Sequence, residues 1–200
     1  MPVKLKWILK PRMMTAMYPL LQQGFQVTAT VGCDIRSLLC DQFGMMPDYL
    51  SDRISTIFLN GKPVDDVSSA VVNDGATLAL SAAMPGLVGA TFRKAGCLAA
   101  FRGSITYRKG DDADATCRDG TITLKLFNLL VAEMGPLFLE RGIWINGDEL
   151  KDYLRKRRSS IETMIERVEK DGHPVDPKTL TDPEWLSVET RVLLQTTGGA

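Results

Sequence analysis

The chain has few of the residues that would indicate a disulfide framework, a metal site or a strongly charged partner. It contains 200 residues with four cysteines and one histidine, and 24 basic residues balance 24 acidic ones. Cys33, Cys40, Cys97 and Cys117 form no C-x-x-C pair, and His173 is far from all of them in the sequence. We therefore expect reduced thiols, no metal and no cofactor. Zero net charge provides no general attraction to nucleic acid or to an anionic membrane.

Long apolar runs are also missing. A membrane-spanning helix needs about 20 consecutive apolar residues, and the sequence has no such run. Residues 1–6 alternate charged with apolar side chains and lack the apolar core of a signal peptide. These absences predict a cytoplasmic protein that has no membrane partner.

What the sequence does contain is one phrase that occurs twice. Residues 57–61 read Ile-Phe-Leu-Asn-Gly, and residues 143–147 read Ile-Trp-Ile-Asn-Gly. An apolar helical stretch that ends near Gly44 or Gly135 precedes each phrase, and an alternating strand at 77–80 or 191–194 follows it. A repeated order of elements with diverged side chains predicts a duplicated domain.

The first half reads as a small sheet with one helix. Alternation predicts strands at 3–9 and 25–31, which we expect to pair with each other, and further strands at 54–59 and 77–81. Asp34 is a candidate N-cap for a helix that Gly44 ends. The pairs at 60–61 and 74–75 predict tight turns.

The second half has a less regular pattern. Short strands are predicted at 104–107 and 121–127, separated by a polar, turn-rich stretch at 110–120. A helix from Asn128 should break or kink at Gly135-Pro136. A tight turn is expected at Asn146-Gly147, followed by a helical insertion at about 155–182. Within this insertion a helix at 161–168 should bury Ile161, Met164, Ile165 and Val168. A linker is expected at 92–103.

This order of elements resembles the ubiquitin-like β-grasp fold, and in particular its sulfur-carrier branch. That branch includes the small subunit of molybdopterin synthase and the thiamine-biosynthesis sulfur carrier. The resemblance rests on residues 58–64 and 74–80 in the first half, and on 145–147 and 192–199 in the second. It implies an α+β protein of two tandem β-grasp domains, at 1–95 and 104–200, the second with the helical insertion.

The resemblance also implies a site. In sulfur carriers a C-terminal Gly-Gly is adenylated by an ATP-dependent partner and then converted to a thiocarboxylate. Gly198 and Gly199 match this tail, but Ala200 follows them, so the tail would first have to be trimmed. The first half cannot perform this chemistry, because Gly86 and Gly89 are internal.

Two clusters of basic residues are further candidates for contact with an anion or a partner. The run at 151–158 includes Arg155, Arg157 and Arg158; it is either a solvated helix face or a contact to RNA, and we favour the face. Arg93 and Lys94 lie in a glycine-spaced segment at 85–96, which either cradles an anion or is a close-packed crossing between domains. We favour the crossing.

The residues as a whole favour binding over catalysis. No Ser-His-Asp, Cys-His or paired-carboxylate arrangement stands out. The expected function is a non-catalytic binding or interaction protein with a protein partner; the alternatives are a sulfur carrier served by an adenylating enzyme, and an RNA-associated protein. Several methionines of the first half are expected to fill the core, although adaptable methionine surfaces can also bind partners. They are Met13, Met14, Met17, Met45, Met46 and Met84.

Overall fold

The computed structural model describes residues 2–108, 116–187 and 189–198. The strands are β1 (Val3–Leu9), β2 (Phe25–Val31), β3 (Cys33–Asp34), β4 (Thr56–Leu59), β5 (Lys62–Pro63), β6 (Val71–Val72), β7 (Thr77–Ser81), β8 (Arg118–Phe127), β9 (Ile143–Asn146), β10 (Ile165–Lys170), β11 (His173–Val175) and β12 (Arg191–Gly198). The α-helices are α1 (Tyr18–Gln23), α2 (Gly86–Phe92), α3 (Leu129–Arg141), α4 (Gly147–Lys156) and α5 (Ile161–Met164). Short 3-10 and π-helical turns connect them, among them the π-helical segments Ser37–Gln42 and Tyr49–Arg53.

The chain divides into two compact units. Unit 1 combines the two ends of the chain, Met1–Phe25 and Ala132–Ala200, and unit 2 is the continuous stretch Gln26–Val131. These units do not coincide with the predicted ranges 1–95 and 104–200. Residues 92–103, which were expected to form a linker, lie inside unit 2.

The five strands of unit 1 lie in the order β11-β10-β1-β12-β9. Strand β1 pairs in parallel with β12, from the other end of the chain, and antiparallel with β10. The alternation of β1 places Leu5, Trp7 and Leu9 in the core, as its sequence predicts. The predicted pairing of β1 with β2 is wrong, because β12 and β10 occupy the two edges of β1.

The predicted helix at 161–168 is also wrong in type, although its buried residues are correct. Helix α5 ends at Met164, and β10 begins at Ile165. Opposite β1, Ile8 pairs with Arg167 and Leu9 with Ile165, so the register skips one residue. A bulge of this kind lets Ile165 and Val168 face the same side although they are three apart. The three-residue spacing of Ile165 and Val168, which resembles that of a helix, is therefore explained by a bulged strand.

The second Asn-Gly pair forms no tight turn. Asn146 has an extended backbone (φ −73°, ψ 146°) and stands before the first residue of α4, Gly147. The Gly147 amide donates to the Thr190 carbonyl at 2.7 Å, and a Cβ on Gly147 would lie 2.2 Å from the Ser187 carbonyl oxygen. The pair thus begins a helix because the chain before β12 packs against it. The expected helical insertion contains two strands, β10 and β11, as well as helical turns.

Helix α3 continues through Gly135-Pro136, where a break was predicted. It spans Leu129–Arg141 with Pro136 inside it. A Cβ on Gly135 would meet the Leu21 side chain at 2.6 Å, so the glycine allows a close approach of α1 in unit 1. Packing here outweighs the intrinsic cost of proline in a helix.

Unit 2 contains the order β2-β8-β7-β4-β5, with β8 parallel to β7 and β4 antiparallel to both β7 and β5. The predicted strands at 25–31, 77–81 and 121–127 are confirmed. Asn60 and Gly61, with φ of 50° and 78°, form the predicted turn between β4 and β5. A separate pair of short strands, β3 and β6, completes the unit.

The predicted cap of the first helical stretch is confirmed. The carboxylate of Asp34 accepts hydrogen bonds from the Ser37 amide at 2.9 Å and from its hydroxyl at 3.0 Å. Gly44 ends the stretch with a φ of 73°. By contrast, the strand predicted at 104–107 is wrong; these residues form turns, and the described part of the stretch 110–120 already enters β8 at Arg118.

The predicted fold class, two tandem β-grasp domains of which the second has a helical insertion, is therefore wrong. Unit 1 draws its five strands from both ends of the chain, with β1 and β12 paired in parallel at its centre, so neither half of the sequence forms a sheet of its own there. The duplication is overturned with it, because its second Asn-Gly phrase leads into a helix.

Candidate functional site

Unit 2 carries an apolar groove with a volume of about 380 Å³. It lies beside the carboxyl-terminal ends of the parallel strands β7 and β8. Eight residues line it: Phe58, Ala79, Leu80, Ser81, Met84, Pro85, Phe127 and Asn128. We refer to these residues as the groove.

Strand register brings the floor of the groove together. Phe58 of β4 is the partner of Ala79 in β7, and Ser81 of β7 is the partner of Phe127 in β8. Because side chains alternate along a strand, Ala79 and Ser81 face the same side of the sheet. Residues from three strands therefore meet on one face.

Asn128 holds the polar end of the groove. Its backbone has a φ of 56°, a conformation that asparagine tolerates better than most residues. Its amide nitrogen donates to the Ser81 hydroxyl at 3.0 Å and to the Ala83 carbonyl. These bonds tie the end of β8 to the segment that leads from β7 into α2.

Helix α2 begins directly after the groove residues Met84 and Pro85 and packs against two of the groove residues. The Phe92 ring packs against Phe58, with the ring centroids 5.2 Å apart. A Cβ on Gly89 would lie 1.8 Å from the Met84 carbonyl oxygen, so the helix can approach the Met84 backbone only through a glycine. The segment at 85–96 is thus close-packed, as expected, but it is a helix inside unit 2 and not a crossing between domains.

A buried arginine, Arg102, holds the end of helix α2 in place. The Arg102 side chain is 1% exposed and forms an ion pair with Asp65 at 2.6 Å. Its Nε donates to the Thr91 carbonyl at 2.8 Å, and its Nη2 to the Arg93 carbonyl at 3.2 Å. Both acceptors lie at the end of α2 or just after it, so Arg102 links α2 to the loop that contains Asp65.

The same contacts set the charge state of Asp65. Burial alone would raise its pKa, but hydrogen bonds from Arg102 and from the Ala95 amide hold the pKa of this carboxyl below its usual value. The carboxylate is therefore charged at neutral pH, as its bidentate partner requires.

Several large apolar residues that line the groove or closely follow its residues in the sequence are exposed to solvent. Leu87 is 75% exposed and Val88 59% exposed; both follow Pro85 in α2. Phe127 is 40% exposed, and Leu129, next to Asn128, is also exposed. An apolar cavity with an exposed apolar rim is typical of a surface that binds another molecule.

The structure describes only the first residue of the predicted carrier tail. Gly198 is the last residue of β12 and pairs with Leu9, and a Cβ there would lie 2.8 Å from the Leu9 carbonyl oxygen. Its positive φ of 77° explains why glycine occupies this position. Gly199 and Ala200 lie outside the described residues, so trimming of the tail stays a prediction.

The predicted basic residues of α4 and the following turn belong to unit 1, and none of them is among the eight groove residues. Arg155 and Lys151 both bind Glu184, at 2.6 and 2.9 Å, and these bonds hold the pKa of that carboxyl below its usual value. The Arg157 guanidinium lies 4.6 Å from the centroid of the Tyr153 ring, and Arg158 is exposed. The charge of Arg155 is thus compensated by Glu184.

Because these contacts favour a solvated face, we expect replacement of Arg155, Arg157 and Arg158 by glutamine to leave the fold intact. The thermal midpoint should change little, since water and salt screen an exposed ion pair such as Arg155–Glu184. Binding to single-stranded RNA, measured by fluorescence anisotropy at several salt concentrations, should be negligible before and after the replacement. Salt-sensitive binding that the triple replacement abolishes would contradict this prediction.

Arg93 and Lys94 lie neither in an anion-binding loop nor in a crossing between domains; both contribute contacts within unit 2. Lys94 Nζ donates to the Leu50 carbonyl at 2.9 Å, and burial lowers the pKa of this amine. The Arg93 side chain is exposed, while its carbonyl accepts from Arg102. Lys94 thus contributes to the internal structure of unit 2.

Sequence reasoning missed the groove as a site. The sequence places Met84 among several methionines and Asn128 at the start of a helix, but no pattern in it links these two residues to Phe58 or Phe127. One available signal was the Leu87-Val88 pair next to Pro85-Gly86, which gives a short helix two adjacent apolar residues that no sheet face covers.

Comparisons with known proteins add no family. No protein-family model matches the sequence, and no curated protein or solved structure is significantly similar to it. Within the described ranges, no helix has the length and apolar character needed to cross a membrane. The same residues include no group of three or more His, Cys, Asp or Glu side chains placed to hold a metal ion.

Proposed function

We propose that this protein is a non-catalytic binding protein and that the groove of unit 2 holds an apolar side chain of a protein partner. The observation that carries the proposal is the combination of an apolar cavity with an exposed apolar rim.

The lining supports binding over catalysis. General acid–base and nucleophilic catalysis need a side chain that can accept or release a proton, or a nucleophile that such a side chain activates. None of the eight groove residues is titratable. Ser81 is the one hydroxyl among them, and its oxygen accepts a bond from the Asn128 amide, which is not a base.

The size and exposure of the groove favour a protein segment over an enclosed small molecule. A volume of about 380 Å³ is near the lower end of ligand sites, which range over about 300–1,000 Å³. Small ligands are mostly enclosed by their sites, whereas Leu87 and Val88 extend the apolar surface beyond the cavity. A partner could place one leucine- or phenylalanine-sized anchor in the groove and cover these two residues with its neighbours.

The anchor can be tested with a minimal probe. N-acetyl-phenylalaninamide, titrated into the full-length protein, should shift NMR signals of the groove residues at millimolar concentration. N-acetyl-alaninamide should shift them far less, because it buries much less apolar area. Phe127→Asp places a charge at the cavity and should weaken binding of the probe at least about tenfold, through the cost of burying a carboxylate beside an apolar ligand.

Leu137→Asp is the matched control. Leu137 is 44% exposed, close to the 40% of Phe127, but it belongs to unit 1. This control should bind the probe like the unaltered protein. A second variant, Gly89→Ala, should displace α2 from Met84 and weaken binding without adding charge. If the two probes perturb the groove equally, or if Phe127→Asp binds as well as Leu137→Asp, the proposed function is wrong.

A further inference from the structure

Two cysteines of unit 2, far apart in the sequence, lie on neighbouring backbone segments. Cys33 directly follows Gly32, and a Cβ on Gly32 would lie 2.3 Å from the Thr116 carbonyl oxygen and 3.1 Å from the Cys117 amide nitrogen. The Cys117 sulfur itself is 4.0 Å from the Gly32 carbonyl oxygen. The chain around Cys33 therefore contacts the chain around Cys117 without an intervening side chain.

The Cys33 side chain is held at this junction. Its sulfur contacts the Thr30 carbonyl oxygen at 3.2 Å and accepts a bond from the Gln42 amide at 3.3 Å. The Cys33 sulfur thus contacts the Thr30 carbonyl, and the Cys117 sulfur contacts the carbonyl of Gly32, two residues further along the chain. Gln42 also bonds the Thr30 backbone, at 2.8 and 2.9 Å, so the site of Cys33 is fixed on both sides.

The electrostatics are consistent with this proximity. Burial raises the pKa of the Cys33 thiol most, and the charges of Asp34 and of a Cys117 thiolate raise it further. Cys117 is exposed, whereas Cys33 is partly buried. A shallow cleft lined by Thr28, Ala29, Thr30, Gln42, Asp119 and Gly120 adjoins both segments. Small molecules can therefore reach Cys117 more readily than the partly buried Cys33.

We propose that Cys33 and Cys117 form a reversible disulfide bond when the protein meets a small-molecule disulfide of the glutathione type. Both thiols are free in the structure. A disulfide requires Cα atoms about 4.4–6.8 Å apart. Cys33 comes directly after Gly32, and the backbone at Gly32 closely approaches the backbone at Cys117, so Cys33 and Cys117 are near enough for a small adjustment to join them.

The exchange takes two steps. The Cys117 thiolate attacks one sulfur of oxidised glutathione, the reagent's S–S bond breaks, and one glutathione leaves as a thiolate. Cys33 then loses its proton to solvent and attacks the Cys117 sulfur of the mixed disulfide, which releases the second glutathione. Two protein thiols are oxidised to one disulfide, and one molecule of oxidised glutathione is reduced to two thiols.

Mass spectrometry of the full-length protein tests the proposal. After incubation with oxidised glutathione and alkylation of the remaining thiols, a non-reduced digest should contain a peptide pair linked through Cys33 and Cys117. In a sample that is not alkylated, the intact mass should fall by two hydrogens, and dithiothreitol should reverse the change. In Cys33→Ser the glutathione adduct on Cys117 should persist at a level at least about tenfold above that of the unaltered protein, because an adjacent thiol acts at millimolar or higher effective concentration.

Cys40→Ser and Cys97→Ser are the matched controls, since Cys40 is partly buried like Cys33 and Cys97 is exposed like Cys117. Both should still form the link. A glutathione adduct that persists on Cys117 in the unaltered protein, or a link that involves Cys40 or Cys97, would overturn the proposal. This measurement on the unaltered protein decides the matter even if a variant fails to fold.

Discussion

Asp65→Ala should lower the free energy of unfolding by about 3 kcal/mol, near the lower end of the cost of breaking a buried ion pair, because Asp65 itself is partly exposed. The replacement leaves the Arg102 guanidinium buried without its carboxylate; its bonds to the Thr91 carbonyl and the Thr106 hydroxyl cannot neutralise the charge. Urea denaturation followed by circular dichroism measures the change.

Glu184→Ala is the matched control for this prediction. Glu184 also binds two cations, Lys151 and Arg155, but at the surface. Exposed pairs are screened by water and salt, so this variant should unfold at nearly the same urea concentration as the unaltered protein. Equal losses in the two variants would show that burial of Arg102 has no special weight.

The stability that Asp65 contributes should depend on pH. Its pKa in the folded protein is lower than its ordinary value of about 4. A group with a depressed folded-state pKa stabilises the protein fully above its unfolded-state pKa, and this contribution is lost as pH falls through the folded-state pKa. The difference in stability between the unaltered protein and Asp65→Ala should therefore be full at pH 7 and shrink below about pH 4.

The Arg102–Asp65 ion pair also connects stability to the proposed function. Arg102 binds carbonyls at the end of α2, and α2 packs against the groove residues Phe58 and Met84. We therefore expect Asp65→Ala to weaken binding of N-acetyl-phenylalaninamide even under conditions where the variant is fully folded.

Trp7→Ala should lower the free energy of unfolding by about 4 kcal/mol, within the range for truncating a buried aromatic side chain. Trp7 is completely buried in β1 and stacks on Tyr153, with the ring centroids 6.5 Å apart. The Tyr153 hydroxyl in turn donates to the Ala16 carbonyl at 2.9 Å, so the neighbouring ring cannot move freely into the cavity. Guanidinium denaturation measures the loss.

Trp144→Ala is the control for residue type, because Trp144 is only partly buried and faces the Arg191 guanidinium at 4.7 Å. Trp144→Ala should lower the free energy of unfolding much less than Trp7→Ala.

Thr196, the register partner of Trp7, gives an opposite expectation: its buried hydroxyl has no hydrogen-bond partner among the described residues. Thr196→Val should thus keep or raise stability, since it removes an unpaired polar group at nearly constant shape. A large loss in Thr196→Val would contradict this account of the unit 1 core.

Local sequence signals were reliable where a segment depends on its own residues. The alternation of β1, β2 and β7 predicted their bounds, because a half-buried strand places every second side chain in the core. The Asp34 cap and the Asn60-Gly61 turn were predicted because hydrogen bonds and φ values within a few residues determine them.

The same kind of signal failed where a distant segment supplied the decisive contact. Asn60-Gly61 is a turn, while Asn146-Gly147 begins a helix against the Ser187 and Thr190 carbonyls. Ile165 and Val168 have helical spacing, but β1 pairs with their segment and turns it into a bulged strand. Neither partner lies close enough in the sequence to be visible in a local pattern.

The sequence by itself determined most strands, the first turn and the balance of charge, since these follow from single residues and their near neighbours. Only the tertiary structure decided which strands pair, that β1 joins β12, and that Phe58, Met84 and Phe127 meet in one groove. Such contacts join residues whose separation along the chain leaves no periodic signal. Their free energy comes from burying apolar area that each segment, taken alone, would leave in water.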